Sequence, residues 1–562
     1  MRSSERLVES LYKHGVRRVF GIPGGSSIPY MEAMRNRGID FTLVSNEQSA
    51  AIMADISYRL TGVAGVCHAT FGPGATNLLT GIGGAYLDRS AVIALTVEVG
   101  EQDIGRNVQM NIDHQAVYKP VTKYSTRISP KTIDATIDNA FDMATAEVPG
   151  PVHIGIPADI ADIQSEQVAN ITQNNAFSLK SLHNGGKLGS HSDTSNASAY
   201  GHGDFFSEKQ ELLSAAQQLL LNTKRPIIAI GLSALRHGLY EAIREFVDKN
   251  NIPVITTPMA KGAISEKHPN FAGVLFHACS EVVADIYRSA DLVLALGYDP
   301  VEFNYETWMP NVPLIHIDSM PADILAGYTS VINIIGDPSE SVKHLCALDL
   351  PRYSWIYAQI TSCRSRLQSI FTAESVNFGI TSLLQSLMSF MPENGIVTCD
   401  VGAHLHVMGQ FWDVTEPNRL LMTNGWSAMG FGIPAAIGAK LCKPNNPVVC
   451  VTGDGGFLMN CGELLTARRL KLDIIIIVLC DRDLSLISLK QNRKNLMPYG
   501  TALYDGSFFD ADCFFGVPVF KAKSDRELNC ALKKASSVSG PAIIQADIDS
   551  ASYERLITRE YK

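Results

Sequence analysis

No C-x-x-C pair occurs in this chain, although 11 cysteines are scattered over its 562 residues. The scatter argues against a disulfide framework. Cys67, Cys450 and Cys480 lie inside apolar runs, as free thiols of a reducing compartment do. A basic excess is also missing: 47 Lys and Arg stand against 56 Asp and Glu, for a net charge of −9. That argues against a general nucleic-acid binder, which needs a concentrated basic face. It leaves an anionic substrate open, because a local site need not follow net charge. No long apolar run is present either. "IIIIVLC" (474–480) is far short of the roughly 20 residues that span a bilayer. The start, "MRSSERLVESLYKHGVRRVFG", reads as an amphipathic helix running into a strand, not a signal peptide. These absences together predict a cytoplasmic protein with no membrane partner.

What is present is repetition of one pattern. Hydrophobic residues make up 46% and charged residues 18%, and the length suggests about three domains. Short apolar strands alternate with helical spacing in each of three blocks. In residues 1–165 the strands are "RRVFGI", "GVCHAT", "AVIALTV" and "VHIGIP". Residues 166–207, including "SLKSLHNGGKLGSHSDTSNASAYGHGD", have little to bury and read as a linker whose histidines are solvated. Residues 208–350 resume with "RPIIAIGL", "IPVITT", "DLVLALG" and "PLIHID". A connecting segment, 351–374, leads to a third block, 375–562, with "GIVTCDVG", "RLLMTNG", "PVVCVTGDGG", "DIIIIVLCD" and "PAIIQADID". The predicted fold is α/β, with three doubly wound parallel-sheet domains. In such sheets ligands sit at the carboxyl ends of strands.

Two aspartates stand at such ends. Asp454, in "GDGGFLMNCGELL", and Asp481, in "VLCDRD", are 27 residues apart, about the length of one strand–helix–strand unit. Neighbouring parallel strands then put both carboxylates on one sheet edge, a set that suits Mg²⁺ carrying phosphates. Gly453, Gly455 and Gly456 let the backbone approach a phosphate, and a helix N-terminus follows. The plain alternative is a pair of unrelated helix-capping aspartates. A nicotinamide site is disfavoured, because "GDGGFLMN" lacks the third glycine of G-x-G-x-x-G and "GIPGGSSIPY" does not fit it. Glu47, in "LVSNEQSAAIMADISYRLTG", is a lone acid before a helix of small residues, and read alone it is a helix-start residue. "GPGATNLLTGI" (72–82) is a second small-residue turn.

In chain order, "FGIPGG", Glu47, "GPGATN", "TNGWSAMGFGIPAAIGA" and the "GDGG … D" pair resemble the thiamine-diphosphate enzymes of the acetolactate synthase and pyruvate oxidase group. The resemblance covers nearly the whole chain apart from the linker. It implies thiamine diphosphate and Mg²⁺ as cofactors, with Asp454, Asp481 and the Asp483 carbonyl on the metal. The Gly453–Gly456 turn and His404 would meet the diphosphate. Met429 would wedge between the cofactor rings, although a core methionine is the commoner fate of that residue. Gly25, Ser427 and Leu486 would line the cofactor. Glu47 would bond the pyrimidine across a subunit interface, so a homodimer, or a dimer of dimers, is expected. Most relatives carry Asn-Asn where this chain has Cys480-Asp481, and the FAD-free relatives also use Asp there.

The same resemblance frames the reaction. "LALGYDPVEFNYETW" (294–308) lacks an arginine-rich stretch found in the FAD-containing relatives, which argues against FAD. "PVTKYS" places Lys123 as a candidate for attracting a carboxylate, against its plain reading as a surface charge. The family's active-site Phe-Gln pair falls on Gln109-Met110, with His114 and Gln115 as nearby replacements for the amide. Ala403-His404 stands where many relatives have Gln-His. An acceptor-pocket Trp is replaced by Lys490, beside Leu486 and Ile487, and a basic residue there suits a longer acceptor or points to solvent. The implied activity is a decarboxylating carboligase that joins a 2-oxo acid, by default pyruvate, to a second one. Acyloin coupling of other 2-oxo acids is the near rival. A simple 2-oxo-acid decarboxylase is disfavoured by the lack of an early adjacent histidine pair, and a non-catalytic homologue by the presence of Glu47, Asp454 and Asp481.

Overall fold

The computed structural model describes residues 1–164, 202–302, 311–324, 331–351, 353–355, 357–373 and 377–557. Most of the expected linker lies outside these residues. Its last part does not remain linker, because the helix His202–Asn222 has already begun there. The stretch after Glu302, on which the argument against FAD partly rests, also lies outside them.

Three sheets carry the chain. The first contains β1 (Arg18–Gly21), β2 (Asp40–Leu43), β3 (Gly65–Ala69), β4 (Val92–Glu98), β5 (Tyr124–Arg127) and β6 (Val152–Pro157), in the order β2-β1-β3-β4-β6-β5. The second contains β7 (Pro226–Ile230), β8 (Val254–Thr256), β9 (Phe271–Val274), β10 (Leu292–Leu296), β11 (Leu314–Asp318) and β12 (Val331–Ile335), in the order β12-β11-β10-β7-β8-β9. The third contains β13 (Ile396–Cys399), β14 (Leu420–Leu421), β15 (Val448–Gly453), β16 (Ile474–Cys480), β17 (Cys513–Phe514), β18 (Val517–Ala522) and β19 (Ala542–Asp547), in the order β14-β13-β15-β16-β19-β18-β17. All pairings are parallel except β17 with β18.

Burial explains the central strands. Every residue of β4 and of β16 is buried, as β-branched runs covered by helices on both faces must be. In the first and third sheets the winding direction reverses between β1 and β3 and between β13 and β15. A crevice for ligands opens at such switch points, beyond the carboxyl ends.

The first and third domains share one apolar core. The helix Glu47–Thr61 presents Ala50, Ala51 and Ala54, and the helix Gly432–Cys442 presents Ala435, Ala436 and Ala439, all buried. A Cβ at Gly438 would lie 3.3 Å from Ile56 and Met53, so small residues let the helix backbones approach. A polar tie flanks this core. The buried Arg59 guanidinium donates to Asp55 at 2.8 Å, to Asp88 at 2.9 Å and to the Met422 carbonyl at 2.7 Å. Asp88 accepts in turn from the Asn424 and Gly425 amides. A planar guanidinium serves several acceptors at fixed angles, which suits a domain junction.

Candidate functional site

Glu47 sits just past the carboxyl end of β2. Asn46 caps its helix, accepting from the Gln48 amide at 2.9 Å. The Glu47 side chain is buried, and its Oε2 accepts from Asn77 Nδ2 at 3.1 Å. A Cβ on Gly74 would stand 3.2 Å from Glu47 Oε1. Two of the sequence motifs, Glu47 and "GPGATN", therefore meet. The third domain fixes the approach to Glu47. Glu463, fully buried, accepts from the Ser45 amide at 2.8 Å and the Asn46 amide at 3.2 Å. Burial pushes the Glu463 carboxyl above its ordinary value.

The opposing wall is built at the ends of β13, β15 and β16. Asp454 starts the helix Asp454–Asn460. Its Oδ1 accepts from the Gly455 amide at 2.8 Å, and its Oδ2 from the Arg482 amide at 2.9 Å and Tyr504 Oη at 3.1 Å. Asp481 accepts from Ser485 Oγ at 2.6 Å. Its carboxyl is pushed up to about 7, first by burial, with repulsion from Asp454 among the further causes. Asp454 is also raised, chiefly by burial. Asp483 is half-buried; its amide donates to Asp481 Oδ1 at 3.4 Å and its own carboxylate accepts from Ser488.

Met429 links the two walls. Its methyl would lie 3.1 Å from a Cβ on Gly455, and its carbonyl lies 3.5 Å from Gln48 Nε2. The turn around it hangs on Asp400, which accepts from the Gly430 amide at 2.8 Å and the Gly432 amide at 3.1 Å. A Cβ on Gly456 would lie 2.9 Å from that Asp400 carboxylate. His404 lies beside Gly453, 3.4 Å from where a Cβ there would be, and its buried Nε2 has no hydrogen-bond partner. Burial pushes its pKa down to about 4.

Other candidates land elsewhere or at the border. Lys123 does not face this crevice. It precedes β5, whose Tyr124 pairs with Val152 at the start of β6, so it stands at the amino edge of the sheet while Glu47 stands at the carboxyl edge. Its ammonium donates to the Ala146 carbonyl at 2.6 Å. His114 and Gln115 turn inward. His114 Nδ1 lies 2.8 Å from Thr96 Oγ1, which also bonds His153, and Gln115 Nε2 donates to Glu98 at 2.5 Å. Gln109 and Met110 are exposed, yet the Met110 carbonyl lies 2.7 Å from where a Gly72 Cβ would be, on the rim of the Glu47 side. Gly25 faces open space. Its neighbour Gly24 is the one whose missing side chain matters, since a Cβ there would meet Thr70 Oγ1 at 2.3 Å. Ser427 is exposed and spends its hydroxyl on the Asn424 carbonyl at 2.7 Å. Leu486 is half-buried and packs on the core, while Ile487 is exposed.

Sequence reasoning passed over Asp400, Glu463 and the Arg59 tie. Asp400 ends β13 in "TCDVG", a strand-end acid of the kind already noted at Asp454. Glu463 and Arg59 act between domains and carry no local signal. Glu47 was expected to meet the diphosphate half across a subunit interface; within one chain its helix packs on the third domain through the shared core and through Glu463.

Comparison with known proteins agrees with this architecture domain by domain. Residues 1–117 match the thiamine pyrophosphate enzyme N-terminal TPP binding domain, residues 213–345 its central domain and residues 400–546 its C-terminal TPP binding domain. The chain is 30% identical to a probable acetolactate synthase large subunit of Methanocaldococcus jannaschii, over 98% of this chain and 92% of that one. It is 29% identical to an acetolactate synthase of Bacillus subtilis, over 98% and 93%. It is 30% identical to the acetolactate synthase isozyme 2 large subunit of Escherichia coli, over 98% and 96%. The chain belongs to the thiamine pyrophosphate enzyme family. Within it, this is an acetolactate synthase-like, thiamine-diphosphate-dependent enzyme.

Proposed function

We propose that this enzyme is a decarboxylating carboligase that joins two 2-oxo acids, with thiamine diphosphate and Mg²⁺ and without FAD. The observation that carries the reading is the acidic edge of the third sheet, where Asp454 and Asp481 stand beside the Gly453–Gly456 turn and His404. Buried Glu47 stands on the matching edge of the first sheet, and Met429 touches both Gln48, next to Glu47, and the Gly455 position. The residues fit the two cofactors. Burial raises both Asp454 and Asp481, and Asp454 also raises Asp481; a divalent cation between them would favour their charged forms. The orphaned His404 Nε2 beside a glycine turn at a helix start suits a diphosphate.

Thiamine diphosphate, when bound, supplies the carbanion that adds to a 2-oxo acid and lets it lose CO₂. Asp454, Asp481 and the Asp483 carbonyl would hold the metal, while the Gly453–Gly456 turn and His404 would hold the diphosphate. Met429 would pack against the cofactor. Glu47 would hold the pyrimidine by a hydrogen bond and move a proton there. Glu47 is buried, so this bond would form with little competition from water. Overall, one 2-oxo acid loses CO₂, and its former keto carbon bonds to the keto carbon of the second. The oxygen of the second takes up a proton, giving a 2-hydroxy-3-oxo acid. Two pyruvates give acetolactate, the default product.

Small-molecule 2-oxo acids are thus the proposed partners, with a homodimer or a dimer of dimers as the assembly. Leu458, Met459 and Leu465 are apolar side chains exposed on one stretch of the third domain, in keeping with a covered face. A cytoplasmic setting fits the free cysteines, and among the described residues no helix is long and apolar enough to cross a membrane. The test is purified protein with thiamine diphosphate, Mg²⁺ and pyruvate, following CO₂ and the mass of the product. Acetolactate supports the reading; acetaldehyde replaces it with a simple decarboxylase.

A further inference from the structure

The first sheet buries a second cluster of ligand-type side chains. Alternate residues of a strand share a face. Thr96 and Glu98 on β4, Ser125 and Arg127 on β5, and His153 and Gly155 on β6 lie side by side in this way, with Thr96 and Arg127 paired to Gly155 and Ser125 to His153. A Cβ at Gly155 would lie 1.8 Å from Glu98 Oε1, so the glycine leaves the room that this carboxylate fills. The short helix His114–Tyr118 adds the last member. Asp113 caps it, accepting from the Ala116 amide at 2.9 Å, and so sets His114 at its first position.

Glu98, His114 and His153 are all buried, and one ligand atom of each lies within 4.8 Å of the others. His114 Nδ1 stands 3.7 Å from Glu98 Oε1. Thr96 Oγ1 stands 2.8 Å from His114 Nδ1 and 2.8 Å from His153 Nε2. The outward atoms are held from behind. Glu98 Oε2 accepts from Arg127 at 3.1 Å, His153 Nδ1 lies 2.8 Å from Ser125 Oγ, and Tyr118 stacks on the His153 ring at 4.0 Å. Gln115 donates to Glu98 Oε1 at 2.5 Å and leaves that oxygen a second lone pair. Metal ligands are oriented by hydrogen bonds of this kind on their far side.

Charge points the same way. Glu98 and Glu101 share Arg127, at 3.1 and 3.5 Å, and Asp113 acts on both Glu98 and His114. Three carboxylates thus stand against one guanidinium, beside two imidazoles that burial keeps neutral. A divalent cation balances that sum. Imidazole nitrogen selects a transition ion over Mg²⁺, which prefers oxygen. Bonds of about 2.1 Å put tetrahedral ligand atoms about 3.4 Å apart. His114 and Glu98 are near that spacing, and small side-chain rotations of about 1 Å bring in the rest.

We infer that Glu98, His114 and His153 hold a structural Zn²⁺-type ion, with Thr96 Oγ1 in the fourth position. Such a site is closed, with no position open to substrate, so the ion braces the domain and takes no part in the chemistry. It braces the Glu47 wall through Tyr118, whose hydroxyl donates to the Ala75 carbonyl at 2.6 Å, in the helix that brings Asn77 to Glu47. The inference stands independently of the carboligase reading.

The test strips the full-length protein of metal with a chelator, restores thiamine diphosphate and a large excess of Mg²⁺, and adds Zn²⁺ or Co²⁺. One Zn²⁺ per chain is expected to survive gel filtration and to raise the unfolding temperature. Co²⁺ is expected to give the d–d bands of a four-coordinate site, without the charge-transfer band of thiolate ligands. His114→Gln and His153→Gln should each weaken Zn²⁺ retention by at least roughly 100-fold, and Ser125→Ala, which removes only a far-side hydrogen bond, by roughly tenfold. Ser125→Ala decides the matter if the histidine variants fail to fold. No Zn²⁺ retained beside Mg²⁺, a thiolate band, or retention unchanged in the folded variants overturns the inference and leaves the cluster a polar network only.

Discussion

In the first sheet, the carboxyl edge near the winding reversal carries one buried carboxylate of the crevice, Glu47, and the third domain holds its approach through Glu463. In the third sheet, the matching edge carries Asp400, Asp454 and Asp481, whose hydrogen bonds all come from their own domain. The two sheets share a winding order but not a degree of independence. The third domain's wall is built before any partner arrives. The first domain's wall is completed only when the domains dock. Preorganised donors and acceptors pay no reorganisation cost at the moment of use, so metal and phosphate binding belong on the self-contained wall.

The sharpest way to break this comparison is to disable each wall in turn. Glu47→Gln is expected to lower the rate of CO₂ release by roughly 10²–10⁴-fold, with cofactor affinity by calorimetry retained. Asp454→Ala is expected to do the reverse in order, losing Mg²⁺-dependent cofactor binding first. EDTA should reproduce that loss in the unaltered protein, and added Mg²⁺ should restore activity. If Glu47→Gln abolished cofactor binding as well, the division between walls would be wrong.

Acid distinguishes the walls by their buried histidines. Burial lowers His68 and His114 of the first domain and His404 of the third to about 4. Between about pH 6.5 and about pH 4 the unfolded chain takes up protons that the folded chain refuses. Stability therefore falls as pH falls, by about 1.4 kcal/mol per pH unit for each such histidine, and this contribution levels off below about pH 4. Urea titrations across that window measure it. His68→Gln should flatten part of the slope.

Smaller effects test the docking itself. Glu463→Ala leaves the Ser45 and Asn46 amides without their acceptor, at an expected cost of about 1–3 kcal/mol in thermal or denaturant unfolding. Lys123→Met lies at the far edge of the first sheet and should change kcat/KM by no more than roughly twofold. A large loss there would return Lys123 to the site.

The central strands were legible because each is a continuous apolar run. The strands that went unread are nearly all at sheet edges: β2 and β5, β9 and β12, β17 and β18. Their residues are half-exposed in β2, β5 and β12, so neither an apolar run nor a clean alternation marks them. Asp454 and Asp481 were legible because spacing along one βαβ unit fixes which sheet edge a residue reaches. Lys123 misled because matching a motif in sequence says nothing about which edge of the sheet the residue occupies. The inward turn of His114 and Gln115 depended on Thr96, Glu98 and His153, which come from other strands.

By itself, the sequence determined three wound α/β domains, an acidic pair at one sheet edge and a small-residue helix behind Glu47. These follow from local periodicity and from spacing within single supersecondary units. Only the tertiary structure decided that Glu463 and Arg59 join the first domain to the third and that Met429 lies against both walls. It also decided that His277 and His406 meet edge-on. These contacts join residues tens to hundreds of positions apart, and packing between domains, which no local pattern encodes, is what selects them.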